Sequence, residues 1–251
     1  MTIAMFKTIK TLFVAALFVP VLAMAAGPMA PLDTAPVSRD PAALQHGAKL
    51  FVNYCLNCHS ASFIRYKHLT DIGLSEEMIR DNLMFTGERV GDLMKIAMRH
   101  YEGKKWFGAA PPDLTLVARQ RSGHTYPGAD WLYTYMRTFY RDAERQTGWN
   151  NVVFENVGMP HVFWQLQGDQ IAHKTENPDG TVDIRLELVK PGLMTPEEYE
   201  NAVADLVSFL VWASEPVAAK RETIGIFVLL FLAVFTALGY ALKKNYWKDI
   251  H

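Results

Sequence analysis

The sequence predicts a mainly α protein, with a helical domain carrying long loop insertions and a short β element, held by one C-terminal transmembrane helix. Three observations predict it. Apolar residues recur at a period of about 3.6 residues over positions 41–58 and again over 195–214. A single stretch, 181–189, alternates apolar and charged residues in the manner of a strand. Positions 224–242 form 19 residues without a charge, close to the roughly 20 needed to cross a hydrocarbon layer. Half of the 251 residues are apolar, which is enough for a sizeable core.

The elements follow in order. Lys7 and Lys10 open the chain, residues 11–22 are mostly apolar, and Ala23-Met24-Ala25 closes the run with small residues. This pattern predicts a cleaved signal peptide over 1–26 and export to an oxidising compartment. Pro20 inside the short run argues against a retained anchor. Residues 27–41 carry Pro28, Pro31, Pro36 and Pro41 and read as a linker-like lead-in. Asp40 is a candidate cap and Pro41 a first helical residue for a helix running to Cys58. Its stripe is Leu44, Gly47, Ala48, Phe51, Tyr54, Cys55 and Cys58. Gly47 on that stripe predicts a close approach by another element.

From 60 to 192 the chain is irregular. Residues 78–100 look helical in part, and 130–143 look helical and aromatic. Pro111-Pro112 enforces extended backbone. Residues 148–160 hold Gly and Asn breakers. Thr195, Pro196 and Glu198 form a capping box for the next helix, which Pro216 ends. Lys220 and Arg221 precede the apolar run; Lys243, Lys244 and Lys248 follow it, and Tyr240, Tyr246 and Trp247 suit a membrane interface. The expected organisation is therefore a signal peptide at 1–26, an exported domain at 27–222, an anchor at 223–243 and a tail at 244–251. The basic tail predicts a cytoplasmic C-terminus. The net charge of −1 argues against a nucleic-acid partner, which usually calls for a basic face.

The two cysteines are too close together to staple a large domain. They stand in Cys55-Leu56-Asn57-Cys58-His59, a C-x-x-C-H string. Two thiols one helical turn apart suit thioether bonds to one porphyrin edge, and the next residue then offers an imidazole to the iron. Two rivals use similar strings. Thiol–disulfide exchange needs a strand–helix–strand setting, which the surrounding pattern lacks. A zinc site would need further ligands, His59 and His68 being the candidates. For a second axial ligand, Met78, Met94, Met98 and Met136 sit in helical patterns and suit the core. Met159 lies in the breaker-rich Asn156-Val157-Gly158-Met159-Pro160-His161 and is the leading candidate, with His161 its nearest rival.

These residues, with others, resemble the bacterial form of the cytochrome c1 family. The carrying strings are residues 47–51, 54–60 and 65–69, Pro111-Pro112-Asp113-Leu114-Thr115 with Arg119 and Arg121, and residues 133–137. They continue through 148–151, 157–161 and 209–216, in order over nearly the whole exported chain. The resemblance implies a cytochrome c-type haem domain with one covalently bound haem c on Cys55 and Cys58. It implies His59 and Met159 as axial ligands. It also implies Arg121, less so Arg119, on a haem propionate, and Pro111 and Pro112 as a haem wall. Some family members carry a further cysteine pair; this chain has none, so the loops near Gly148 are expected to be held by packing alone.

The function so implied is electron transfer within quinol–cytochrome c oxidoreductase, from the Rieske iron–sulfur protein to a cytochrome c. Cytochrome b would lie alongside, in a dimeric complex of the bacterial inner membrane, with the haem domain in the periplasm. Such a chain is an electron carrier within a catalytic complex rather than an enzyme alone. Glu76, Glu77, Asp81, Glu88 and Asp92 are candidates for steering a basic cytochrome c. The alternatives are an anchored c-type cytochrome of another respiratory complex, or a periplasmic thiol–disulfide oxidoreductase.

Overall fold

The computed structural model describes residues 30–249 apart from 179 and 181. The expected signal peptide lies outside the described residues. Contacts divide the chain between Pro31 and Leu32, and everything below belongs to the unit that begins at Leu32.

Helix α1 is Pro41–Leu50, with Pro41 at its first turn; Asp40 occupies the cap position, but its side chain makes no cap bond. The helix does not continue in the same form to Cys58. It widens into a π-helical turn, Phe51–Cys55, in which the Leu56 N–H reaches the Phe51 carbonyl. Such widened turns concentrate at functional sites, because they re-aim the residues that follow. After it come β1 (Ala61–Arg65), a 3-10 segment (Tyr66–Ile72), α2 (Glu76–Asn82), β2 (Leu93–Met94), α3 (His100–Phe107) and α4 (Val117–Gln120). The helical expectation for 78–100 holds over 78–82 and at His100, where α3 begins; the stretch between is not helical and carries Gly87 and Gly91.

Helix α5, Gly128–Arg137, is shorter than the sequence suggests. Phe139–Arg141 (β3) instead pairs with Trp149–Asn151 (β4) across a turn in which Gly148 has φ of 74°. The side-chain amides of Gln167 and Gln170 donate to the Arg137 carbonyl, and Gln170 also to that of Phe139, which satisfies backbone groups that the helix would have used. A short helix α6 (Trp164–Gln167) leads into β5 (Gly168–Glu176) and β6 (Val182–Pro191), a long antiparallel hairpin. The alternating stretch near 181–189 is its second arm.

Helix α7, Pro196–Ser214, carries the expected capping box: Thr195 accepts from the Glu198 N–H, and the Glu198 carboxylate accepts from the Thr195 N–H. It forms the spine of the core against α1 and α5. Gly47 permits the α1–α7 approach, since a Cβ there would lie 2.1 Å from the Asp205 carbonyl oxygen and 2.7 Å from Phe209 Cβ. One residue away, the His46 ring meets the Asp205 carboxylate at 2.7 Å, and the Phe51 and Phe209 rings lie 5.4 Å apart. On the α5 side the Tyr199 hydroxyl donates to the Met136 carbonyl at 2.7 Å. The proline-rich lead-in is no free linker over its described part. Its backbone N–H groups at Asp33, Ala35 and Ser38 donate to Thr134, Asp130 and Ser208, so it straps α5 to α7.

Helix α8, Ala218–Tyr246, has 29 residues and no buried side chain. At about 1.5 Å per residue it is roughly 44 Å long, enough to cross a bilayer. Its first turns are tied back by ion pairs, Arg39 to Glu222 at 3.0 Å, Lys220 to Asp71 at 3.6 Å and Arg221 to Glu215. Replacing Gly47 with Ala is expected to cost about 1–3 kcal/mol by forcing α1 and α7 apart. A thermal melt of the purified chain checks this; an unchanged melting temperature would contradict the close approach.

Candidate functional site

The cysteines follow directly from the π-helical turn. Cys55 is its last residue, and its carbonyl accepts from both the Cys58 N–H at 3.0 Å and the His59 N–H at 2.9 Å. This tight turn puts both thiols and the imidazole on one short stretch of backbone. Neither thiol is in a disulfide. Burial, and next the neighbouring Cys58, push the Cys55 thiol up to about 12. A thiol-exchange centre needs the opposite shift, toward a thiolate at neutral pH. The described sheets are three antiparallel pairs, which is not the parallel setting that such a centre uses.

His59 is fixed from its far side. Its Nδ1–H donates to the Pro112 carbonyl at 2.7 Å, which sets the tautomer and leaves Nε2 as the nitrogen able to bind a metal. Burial holds the ring below the ordinary imidazole range, against opposing effects of the Pro112 carbonyl and Asp113. The ring is therefore neutral, as a ligand must be.

The Pro111-Pro112 segment that receives this bond is itself tied to the chain after the haem-type motif. The Asp113 carboxylate accepts from the Ser62 N–H at 2.8 Å and the Thr115 N–H at 2.9 Å, and the Ser60 carbonyl accepts from Leu114 N–H at 2.8 Å. Behind the prolines lies α3, where Gly103 permits contact: a Cβ there would stand 2.9 Å from Pro111 Cδ. His68 does not join the cysteines, because its Nδ1 accepts from the Arg65 N–H at 3.3 Å.

Met159 sits in a loop shaped by two buried asparagines, Asn150 and Asn151, which the sequence marks only as loop breakers. Asn150 Oδ1 accepts from the N–H groups of Asn151 and Asn156, each at 2.9 Å, and Asn156 takes a left-handed φ of 60°. Asn151 Oδ1 accepts from Val153 and Phe154 N–H, while its amide donates to the Tyr135 carbonyl at 2.7 Å. The loops near Gly148 are thus held by hydrogen bonds as well as packing. The signal available in the sequence was the Asn150-Asn151 pair, since buried amides on tight loops serve as backbone surrogates.

The Met159 sulfur accepts a hydrogen bond from the Tyr135 hydroxyl at 3.4 Å. Tyr135 stacks on Trp131 at 4.8 Å, and the Arg121 guanidinium lies 4.4 Å above the Trp131 ring. Arg121 therefore reaches the Met159 side through two aromatic rings, and it has no carboxylate partner among the described residues. Arg119 is committed elsewhere, to Glu215, which also pairs with Arg221. His161 faces away from any open site. It is 1% exposed, stacked on Phe139 at 5.0 Å with Trp149 edge-on. Burial pushes it down to about 4, so it is a neutral core ring.

The donor set suits haem c: paired free thiols on one turn, a neutral imidazole with Nε2 available, and a thioether on a separate rigid loop. Residues 34–250 match the cytochrome C1 family model.

The chain belongs to the cytochrome c1 family.

It is 50% identical over 246 residues to a Nitrosomonas europaea protein named ammonia monooxygenase gamma subunit, covering 98% of this chain and 100% of the relative. It is 45% identical over 240 residues to the cytochrome c1 of Allochromatium vinosum, covering 94% and 96%. Cytochrome c1 of Rhodospirillum rubrum is 28% identical over 234 residues, covering 84% and 83%. As a cytochrome c1 this chain carries one covalently attached haem c and serves as the haem electron-transfer subunit of a cytochrome bc1 complex. It is a membrane-anchored subunit, with α8 as the apolar helix suited to the span.

Asp113 carries a testable consequence. Burial raises its carboxyl pKa, but the bonds from Thr115 and Ser62 outweigh burial and hold it below the ordinary 3.8. Its stabilising contribution is present above that value and is lost as pH falls through the lower folded value. Asp113→Ala is expected to cost about 1–3 kcal/mol at neutral pH and to flatten the acid limb of the stability curve. Equilibrium unfolding as a function of pH measures both.

Proposed function

We propose that Cys55 and Cys58 hold the haem c, that His59 and Met159 supply its axial ligands, and that Arg121 takes a propionate. The single observation that carries the reading is the coupled geometry of His59. Its Nδ1 is occupied by Pro112, so its Nε2 is presented from the same turn that holds both thiols. When bound, haem supplies a one-electron couple between ferric and ferrous iron. With His59 and Met159 both holding the iron, no position would be left for a substrate, and the chain would serve outer-sphere transfer only.

Each residue has a defined task. His59 stays neutral and oriented. Pro111 and Pro112 wall one side and exclude water, backed by α3. Met159, as a thioether, favours the ferrous state and a high potential. Arg121 suits a propionate because its planar fork matches a carboxylate and no carboxylate among the described residues pairs with it. Arg119 suits this role less, being paired with Glu215.

The chain accepts electrons from the Rieske iron–sulfur protein and passes them to a cytochrome c, beside cytochrome b in a dimeric inner-membrane complex. In this reading the chain has a signal peptide at 1–26, a periplasmic haem domain at 27–222 and a cytoplasmic tail, supported by the export pattern of the N-terminus and by Lys243 and Lys244 after the apolar run. Tethering of this kind raises the partners' effective concentration without new contacts. Among the acidic residues near 76–92, Asp81 and Asp92 have local partners, while Glu76, Glu77 and Glu88 are exposed and suit steering of a basic partner. Asp92 accepts from the Glu88 and Arg89 N–H groups, and Asp81 pairs with Arg80 at 3.3 Å.

Affinity purification through a tag on the mature chain tests the assembly. Cytochrome b and a Rieske protein are expected to co-purify; recovery of another oxidoreductase instead would favour the reading given by the name of the Nitrosomonas relative. Met159→Ala is expected to leave the haem attached and to lower the midpoint potential by more than about 59 mV, a tenfold change for one electron. Redox titration of the membranes measures it, and an unchanged potential removes Met159 from the site.

A further inference from the structure

The Tyr135 hydroxyl has one hydrogen-bond partner among the described residues, and that partner is the Met159 sulfur, at 3.4 Å. Sulfur is a weak acceptor, and a buried tyrosine hydroxyl ordinarily finds a stronger one. Tyr135 lies on the last turns of α5, on the face turned toward the Met159 loop, and its ring is clamped by neighbours. It stacks on Trp131 at an interplanar angle of 14° and meets Phe139 edge-on at 5.0 Å. Its own carbonyl is held by the Asn151 amide. The same asparagine shapes the 152–156 turn that leads to Met159. Donor and acceptor are therefore registered to each other through one side chain rather than meeting by chance.

We infer that Tyr135 is a positioning residue that tunes the redox potential of this cytochrome by hydrogen-bonding the axial ligand sulfur. The inference rests on Met159 being the distal ligand. A thioether sulfur has two lone pairs. One is available to iron, and the Tyr135 O–H occupies the other. Donation from the hydroxyl draws electron density from sulfur and weakens its donation to the metal. The ferric state, which needs that donation more, is stabilised less, so the potential rises. Bonds to the groups that orient a metal ligand are known to act in this way. The hydroxyl also fixes the rotation of the thioether, restricting which lone pair faces the haem side. No proton or electron moves through Tyr135 in this role.

Tyr135→Phe is the test, because it removes only the hydroxyl and keeps the ring that Trp131 and Phe139 pack against. The readouts are the midpoint potential of the purified complex and the long-wavelength thioether-to-iron charge-transfer band of its ferric form. The expected result is a retained band with the reduction constant lowered about three- to tenfold, roughly 30–59 mV at 59 mV per decade. A retained band with an unchanged or raised potential overturns the inference. Loss of the band in Tyr135→Phe also overturns it, since the hydroxyl would then be needed for ligation itself rather than for tuning. If the band is missing from the unmodified protein and Met159→Ala leaves the potential alone, the ligand assignment fails and takes this inference with it.

Discussion

The hydrogen bond from His59 Nδ1 to the Pro112 carbonyl, 2.7 Å long, is the constraint on which the rest of the site depends. It joins two stretches more than fifty residues apart in sequence. It also decides three things at once: the tautomer of the ring, the nitrogen left able to bind a metal, and the position of Pro111-Pro112 relative to the cysteine turn. Much of the surrounding structure serves to hold its two ends still. The α1 helix widens at Phe51–Cys55 to present the turn. Asp113 clamps the segment after Pro112 to the strand after the cysteines. The α1–α7 contact through Gly47 then fixes the turn to the core.

The opposite side of the site is built on other principles. There the backbone is irregular, and amide side chains replace regular secondary structure in satisfying it. Asn150 and Asn151 accept from four loop N–H groups between them, and Asn151 ties the loop to α5. A run of rings from Trp131 through Tyr135 and Phe139 to His161 stiffens this half. A firmly held Met159 loop suits the proposed electron transfer, in which little nuclear rearrangement should accompany the change in charge. Ion pairs at Glu215, Lys220 and Glu222 connect the start of the anchor helix to this domain. Each is a surface contact of small individual worth, about 0–1 kcal/mol, so their effect is on orientation more than stability.

What was legible in the sequence was what local chemistry encodes. The capping box at Thr195 and Glu198, the Pro41 start, the apolar run of α8 and the Gly47 contact all follow from spacing and residue type. So does the attachment motif. The π-helical turn was not legible, because a widened turn has no propensity signature separate from that of an α-helix. Only one arm of the β5–β6 hairpin was seen. The other arm, GDQIAHKTE, alternates weakly and is a strand because β6 pairs with it. The end of α5 at Arg137 depends on two glutamines about thirty residues away. Arg119 and Arg121 look equivalent in sequence, and only the fold separates them, sending one to Glu215 and the other over Trp131. The prolines of the lead-in resist regular structure and suggest a linker, yet its free N–H groups find side-chain acceptors on α5 and α7.

In the proposed site both axial positions of the haem are closed, with the imidazole of His59 on one side and the thioether of Met159 on the other. Near-infrared magnetic circular dichroism of the oxidised protein distinguishes that pair from two histidines or an open position. The account predicts a histidine–methionine signature; a bis-histidine or high-spin spectrum would contradict it.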